Sequence, residues 1–446
     1  MARVTETQAL EIADRAVVEA TSSGADAAEA TVSIAKRFHV EARETVVSKL
    51  EQSIAKSLHL RVFVDGRKAS LTTSDLSPNG LRGAIERTIA RAGHVASDAL
   101  AGLPDEFATD VPTLELYDRH IESRGGDEKI EETLALERLI RGADARIVNS
   151  SGSHYADASS VTAIANSAGF AASYASTRAS RSTGPVAVDG TVKRTAHYGT
   201  AARHFAELEG SAAVAQIAAR RAVELFGAKK PATMRVPVIF ERDVASSILD
   251  DLFAAISAAN VATGNSWLID RVGTRIGSGC VSVVDDGRLE GKLGSSPFDG
   301  EGVATRRTVV LEEGLLQTFL YDTYYARKLG AMSTGNSNGS GVGANNLYLE
   351  PGTASLEELI AATPRGILVL DTIGFATEHA SGTYSRGARG FFIEGGELAY
   401  PIDEFTIAGA YVDMLAGIDA VASDLRFDGG VVSPSFRVAE MTISGN

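Results

Sequence analysis

Cysteine occurs once in the 446 residues, at Cys280, so no disulfide can form within the chain, and the composition fits a reducing compartment. Histidine is scarce and scattered: His39, His59, His94, His120, His154, His197, His204 and His379 include no two that stand three or four residues apart. A helical zinc peptidase site needs two imidazoles one turn apart, with a carboxylate between them to act on the bound water, and that arrangement is excluded. No uncharged apolar run reaches the roughly 18 residues of a membrane span. The opening residues MARVTETQALEIADR offer no apolar core for a secretory signal. Basic residues are the minority, 43 against 57 acidic, and a net charge of -14 disfavours a non-specific nucleic-acid partner. These absences predict a cytoplasmic protein. Its 44% apolar content and its length allow a sizeable core in two or three domains.

The fold class expected is α+β. Residues 1–100 read as one unit: an apolar helical face over Ala9, Ile12, Ala13, Ala16, Val17 and Ala20, then strand patterns in ATVSIA, FHVEA and SLHLRVFVDG. Asp65-Gly66 supplies a hairpin, RKASLTT the return strand, and Pro78 opens a helix through Arg91. Residues 101–126 form a connector. A second unit, 127–228, repeats helix, strands, helix; its strands are poor in bulky side chains and look broken by turns at Ser151-Gly152, Ala168-Gly169 and Gly184-Pro185. Residues 232–446 read as a β-rich C-terminal domain, with helices at about 244–260, 322–330, 355–362 and 410–417. Three segments there, VSVVDDGRLEG, TVVLEEGLLQTFL and GFFIEGGELAYP, place acid-Gly or Gly-Gly between β-prone runs and predict hairpins.

The chemistry concentrates between Phe319 and Arg389, where aromatics and paired basic residues mix with two Gly/Ser/Asn-rich stretches. Asn336 and Asn338 lie in the first, in a run whose amides could pair with an extended peptide by strand addition. His379, Tyr384, Ser385 and Arg386 lie in the second, with Arg389 nearby. Either Arg386 is tied to an acid in a polar turn, or the group lines a substrate cavity where Arg and Tyr hold peptide carbonyls or a carboxylate. Gly335 to Gly339 matches G-x-S-x-G around Ser337, but it follows a helix and runs into more glycine instead of joining a strand to a helix. Gly339, Gly341 and Gly343 lack the context of a dinucleotide fingerprint. Asp250 and Asp251 could be an acid/base pair, yet adjacent helical residues point about 100° apart, and a solvated or helix-terminal role is the simpler reading.

Several runs carry a resemblance: Tyr325 to Gly335, Asn336 to Leu349, Gly382 to Ile393, Tyr400 to Asp413, and the block from Ser167 to Ser180. In order and spacing they are similar to the TldD/PmbA family, and closer to its PmbA (TldE) branch than to TldD. The resemblance implies a protease system in which TldD is the zinc-dependent catalytic subunit and TldE its metal-free partner. Together they would act on unfolded or small peptides in an enclosed lumen, in some systems maturing peptide antibiotics or processing antitoxins. TldD's His-Glu-x-x-x-His pattern falls here on Asp250, Asp251 and Ala255, and its C-terminal Cys ligand on the region of Val431, Val432 and Ser433. The expectation is therefore a chain with no catalytic and no metal residues of its own, with zinc on a TldD-like partner in a heterodimer. Two other readings stand beside it: a homodimeric peptide-binding scaffold, and an autonomous hydrolase using Ser337 or Asp250 and Asp251.

Overall fold

The computed structural model describes residues 5–374 and 377–445; Phe375 and Ala376, inside the second glycine-rich stretch, lie outside the described residues. The N-terminal half comprises α1 (Glu6–Ser22), β1 (Ala27–Arg43), β2 (Val46–Val64), β3 (Arg67–Thr73), α2 (Pro78–Ala92), α3 (Arg119–Ser123), α4 (Gly126–Gly142), β4 (Ile147–Asn166), β5 (Ala171–Asp189), β6 (Val192–Thr195), β7 (Tyr198–Ala202) and α5 (Ser211–Val223). A capping box between Thr5 and Gln8 starts α1, and Ser77 caps α2 ahead of Pro78. The Asp65-Gly66 hairpin forms as expected, with both residues at positive φ.

Both N-terminal units contribute to one sheet, in the order β3-β2-β1-β4-β5-β6, with β7 also on β5. The seam is β1 against β4, antiparallel from Glu29 opposite Asn166 to Ala42 opposite Ser153. Two of the three expected turns are not turns. Ser151-Gly152 is a bulge within β4, and Gly184-Pro185 lies inside β5. Gly184 is there for closeness: a Cβ at that position would come within 2.1 Å of the Ser151 hydroxyl. Apart from the exposed Lys36, the even-numbered residues of β1 are buried, Ala28, Ala30, Val32 and Ile34 with residues of α1 and α2, and Phe38 and Val40 with Ile121 of α3. The odd-numbered face carries Thr31, Ser33, Ala35, Arg37, His39 and Glu41 and has no helix on it.

The C-terminal half comprises β8 (Met234–Phe240), α6 (Arg242–Ile256), α7 (Ala258–Ala262), β9 (Val283–Asp286), β10 (Arg307–Glu312), β11 (Leu315–Leu316), α8 (Thr323–Leu329), β12 (Leu347–Leu349), α9 (Leu356–Ala361), β13 (Arg365–Ile373), β14 (Thr377–Glu378), β15 (Thr383–Glu394), β16 (Glu397–Ala410), α10 (Tyr411–Gly417), β17 (Ile418–Val421), β18 (Val431–Val432) and β19 (Phe436–Ser444). Strands β13, β8, β19, β16 and β15 pair in sequence, and β13 pairs back onto β15, so the sheet closes on itself as a barrel. A second sheet runs β11-β10-β9-β12-β18. The largest apolar core joins α6 to the inner faces of both sheets through Ile248, Leu252, Ile256, Val310, Leu347 and Phe405.

Two of the three expected hairpins are present, turning at Glu313-Gly314 and Gly395-Gly396 with all four residues at positive φ. The third is absent. The VSVVDDGRLEG segment leaves the sheet after Asp286, and β9 pairs with β10 only after a long excursion. The reason is that Asp285 and Asp286 are buried and held by Asn345 and Asn346, so the acid-Gly step is not free to turn. The helix expected over 244–260 is two helices broken at Ser257, whose neighbours Ile256 and Ala258 exchange main-chain hydrogen bonds with Leu320. The run from Thr383 to Arg389 is strand, not loop. Among the described residues, no helix is long and apolar enough to cross a membrane.

Candidate functional site

Helix α6 begins at the end of barrel strand β8 and presents Ser247 and Asp251, one turn apart, toward β14, β15 and α10. One oxygen of Asp251 receives three donors. Arg386 Nη2 lies at 2.6 Å, the Tyr411 hydroxyl at 2.6 Å and the Thr377 hydroxyl at 3.0 Å. Arg386 also reaches Ser247 Oγ at 3.2 Å, and its guanidinium sits 5.5 Å from the centre of the Tyr384 ring. Tyr384 is fully buried and meets Tyr411 edge to face at 5.7 Å. Burial pushes the Tyr384 phenol up to about 12, and burial together with the Asp251 charge raises Tyr411 further. Both rings stay neutral at physiological pH, and Tyr411 serves as donor.

His379 joins the same region. Its carbonyl accepts from the Trp267 amide, its Nδ1 is buried without a partner among the described residues, and it stands near Asp250, whose carboxyl is raised by burial and by Asp251. Trp267 stacks on Tyr411, with Gly382 beneath it at positive φ. Of the four residues expected from the second glycine-rich stretch, the structure brings His379, Tyr384 and Arg386 to this cluster. Ser385 faces away from it on β15, half-buried opposite Ala408. The reading of Arg386 as tied to an acid holds, although the acid is Asp251 and the setting is a strand. Asp251, read as solvated or helix-terminal, is instead the hub, and Tyr411 escaped notice. The sequence marks Asp251 as a neighbour of Asp250 and as a slot of the TldD pattern, and its helical spacing from Ser247 is the further signal that could have located the cluster.

Asn336 and Asn338 lie apart from this cluster. Asn336 is buried and donates to Asp285 Oδ2 at 2.8 Å and to the Gly343 carbonyl. Asn345 adds its amide and side chain to the same carboxylate. Asp285 is fully buried, and burial lifts it to about 6 despite these donors. Asn336 thus shapes the loop from inside. Asn338 is exposed and caps the turn at Ser340 and Gly341. It lines a cavity of about 350 Å³ between this loop and the odd-numbered face of β1, together with Thr31, Ser33 and His59. Ser337 donates its amide to Asp299, and its hydroxyl accepts from the Gly339 amide. No strand precedes it and no helix follows, so the nucleophile elbow is missing.

Beneath that cavity the two halves of the chain are locked by Arg61 on β2. Its guanidinium lies 2.8 Å from Glu29 and 2.9 Å from Glu301, all three side chains being buried. Asp299, beside them, accepts the amides of Glu301, Val303 and Ser337. Burial raises Glu29 and Asp299 to about 7 each, and the charge of Glu301 adds to both shifts.

The zinc implied by the resemblance does not fit the residues present. Asp251 already holds a guanidinium where a cation would bind, and Ala255 follows it on the helix. Among the described residues, no group of three or more His, Cys, Asp or Glu converges. Cys280 is exposed, with its thiol directed at the Asp419 carbonyl.

The architecture defines a class related to metallopeptidases. A crystal structure from Bacteroides thetaiotaomicron, described as a modulator of DNA gyrase, matches with a TM-score of 0.93 at 27% identity, covering all of both chains. TldE from Thermococcus kodakarensis matches with a TM-score of 0.87 at 21% identity, over 97% of this chain and 99% of the other, a likeness of fold alone. In sequence, family models described as PmbA/TldA metallopeptidase domain 1, central domain and C-terminal domain match residues 28–96, 119–226 and 233–445. A metalloprotease PmbA homolog of Haemophilus influenzae is 35% identical, over 97% of this chain and 95% of its own length. Metalloprotease PmbA of Escherichia coli O157:H7 is 32% identical, over 98% and 96%. The chain belongs to the TldD/PmbA family.

Proposed function

We propose that this chain is the metal-free, non-catalytic subunit of a two-chain cytoplasmic zinc peptidase. In that role it completes a chamber and grips unfolded or small peptides, while a TldD-like partner supplies the zinc and the hydrolytic water. The observation that carries the reading is the Asp251–Arg386 pair. On the helix where the metal-bearing branch would place its ligands, this chain sets a carboxylate neutralised by its own guanidinium and a tyrosine hydroxyl. An arginine head there satisfies the electrostatics that a divalent cation would otherwise satisfy. In this reading Asn338, which lines the cavity beside β1, and the half-buried His379 would meet a peptide, with Tyr384 and Asn336 behind them.

The test is metal analysis and a peptidase assay on the chain purified alone and co-purified with a TldD-like subunit. The expected result is zinc and chelator-sensitive cleavage only in the joint preparation. Stoichiometric zinc with chelator-sensitive cleavage in the chain alone would overturn the proposal, and chelator-insensitive cleavage by it would favour the autonomous hydrolase.

A further inference from the structure

The uncovered face of the N-terminal sheet carries two arginines that form no ion pair among the described residues. Arg37 on β1 stands opposite Ala158 on β4, and Ala158 stands opposite Arg178 on β5. Residues directly opposite on neighbouring strands project from the same face, so both guanidiniums rise on either side of an alanine. With strands spaced about 4.8 Å, their Cα atoms are roughly 10 Å apart. Both are exposed, and among the described residues neither makes an ion pair or hydrogen bond. The row on one side is small, Ala35, Ser160 and Ser176, and on the other side Ala156 and Ser180 continue the row from His39. The result is a cavity of about 380 Å³ with Ala158 on its floor and a guanidinium on either side of it, lined further by His39, Glu51 and Ser53.

Two acids, Glu51 and Asp157, also belong to the cavity lining, and each is paired with a lysine. Glu51 is engaged by Lys49 at 3.0 Å and faces His39, and Asp157 projects from the opposite face to Lys129. In a chain of net charge -14, two adjacent arginines left without a carboxylate are an unmet demand for an anion. The slot also lies in line with the cavity at the Asn338 loop. Ser33 lines that cavity and Arg37 lines this one, on the same face of β1 with only Ala35 between them on that face. Four residues of strand span about 13 Å, so an extended peptide bound at one place reaches the other within about four residues.

We propose that Arg37 and Arg178 form a carboxylate-binding slot that selects anionic peptides, by an acidic side chain or by the free C-terminus. This rests on the peptide-binding reading above and adds a substrate class to it. Both arginines being exposed, two charge-assisted contacts to one carboxylate correspond to roughly tenfold in affinity.

The test uses fluorescence anisotropy on the full chain, with labelled Gly/Ser peptides in three forms: one internal glutamate with an amidated end, a free C-terminus with no acid, and a neutral amidated control. The wild type should bind one or both anionic forms at least about tenfold more tightly than the control, and Arg37→Gln/Arg178→Gln should abolish that preference while leaving weak neutral binding and thermal stability unchanged. Whichever anionic form loses affinity identifies the carboxylate. Equal binding of all three peptides, or a preference that survives the double substitution, overturns the slot. So does a double variant that keeps the preference but no longer co-purifies with a TldD-like chain, which would make the anion a partner's. Zinc content and cleavage by the joint preparation are read separately, so loss of acidic preference with cleavage of neutral peptide intact leaves the subunit reading standing.

Discussion

Replacing Arg386 by alanine strips the cation from a carboxylate whose side chain keeps only 13% of its surface exposed. Removing one partner of a buried ion pair costs about 3–5 kcal/mol, because the other charge is left without compensation. Here the Tyr411 and Thr377 hydroxyls remain on the same oxygen, so we expect about 2–3 kcal/mol. The double variant Asp251→Ala/Arg386→Ala is the sharper perturbation. It removes the stranded charge as well as its partner, and it should be no less stable than Arg386→Ala alone, a coupling of at least about 1 kcal/mol. Trp267, the only tryptophan, stacks on Tyr411 at 6.3 Å and makes its emission the natural probe of urea unfolding at neutral pH. A loss for Arg386→Ala below about 0.5 kcal/mol, or single effects that simply add, would refute the claim that this pair is closed upon itself.

The lock between the two halves predicts a pH dependence. Glu29 and Asp299, raised to about 7, keep protons in the folded chain that the unfolded chain has already released, so the stability they supply is lost as pH climbs toward 7. The melting temperature should therefore fall from about pH 4.5 to 7 and level off above that, and Glu301→Gln, which removes a charge that raises both groups, should flatten that slope; an unchanged slope would count against it. Gly382 sits at φ 70°, and a Cβ there would lie 2.8 Å from Trp267 Cγ. Gly382→Ala should cost about 2 kcal/mol and shift Trp267 emission to the red, and an unaltered spectrum would show that the indole is not clamped there.

Local chemistry was legible wherever it decides local structure. Asp322 and Ser355 cap α8 and α9 through bonds within one turn, and the Glu313-Gly314 and Gly395-Gly396 turns need only their own φ angles. The long strands were not. β2 begins at Val46, but residues 46–56 are exposed on both faces, so no alternation announces them. Gly152 and Gly184 read as breaks because a bulge and a turn use the same residue. Asp285-Asp286-Gly287 read as a hairpin because the asparagines that hold the Asp285 carboxylate and the Asp286 carbonyl come from some sixty residues downstream. At the candidate site, His379, Tyr384 and Arg386 stood out through composition. Asp251 stood out only as a neighbour of Asp250 and a slot of the TldD pattern; its role as the hub was hidden, since its partner lies 135 residues further along the chain.

The seam between β1 and β4 has a consequence for how the polypeptide is made. β1 emerges from the ribosome early, yet one of its two edges has no mate until β4 has been synthesised, more than a hundred residues later. Through that interval a long row of amides and carbonyls stays open to adventitious pairing, so nascent chains stalled before β4 should be the species that chaperones must shield and that aggregate when they fail.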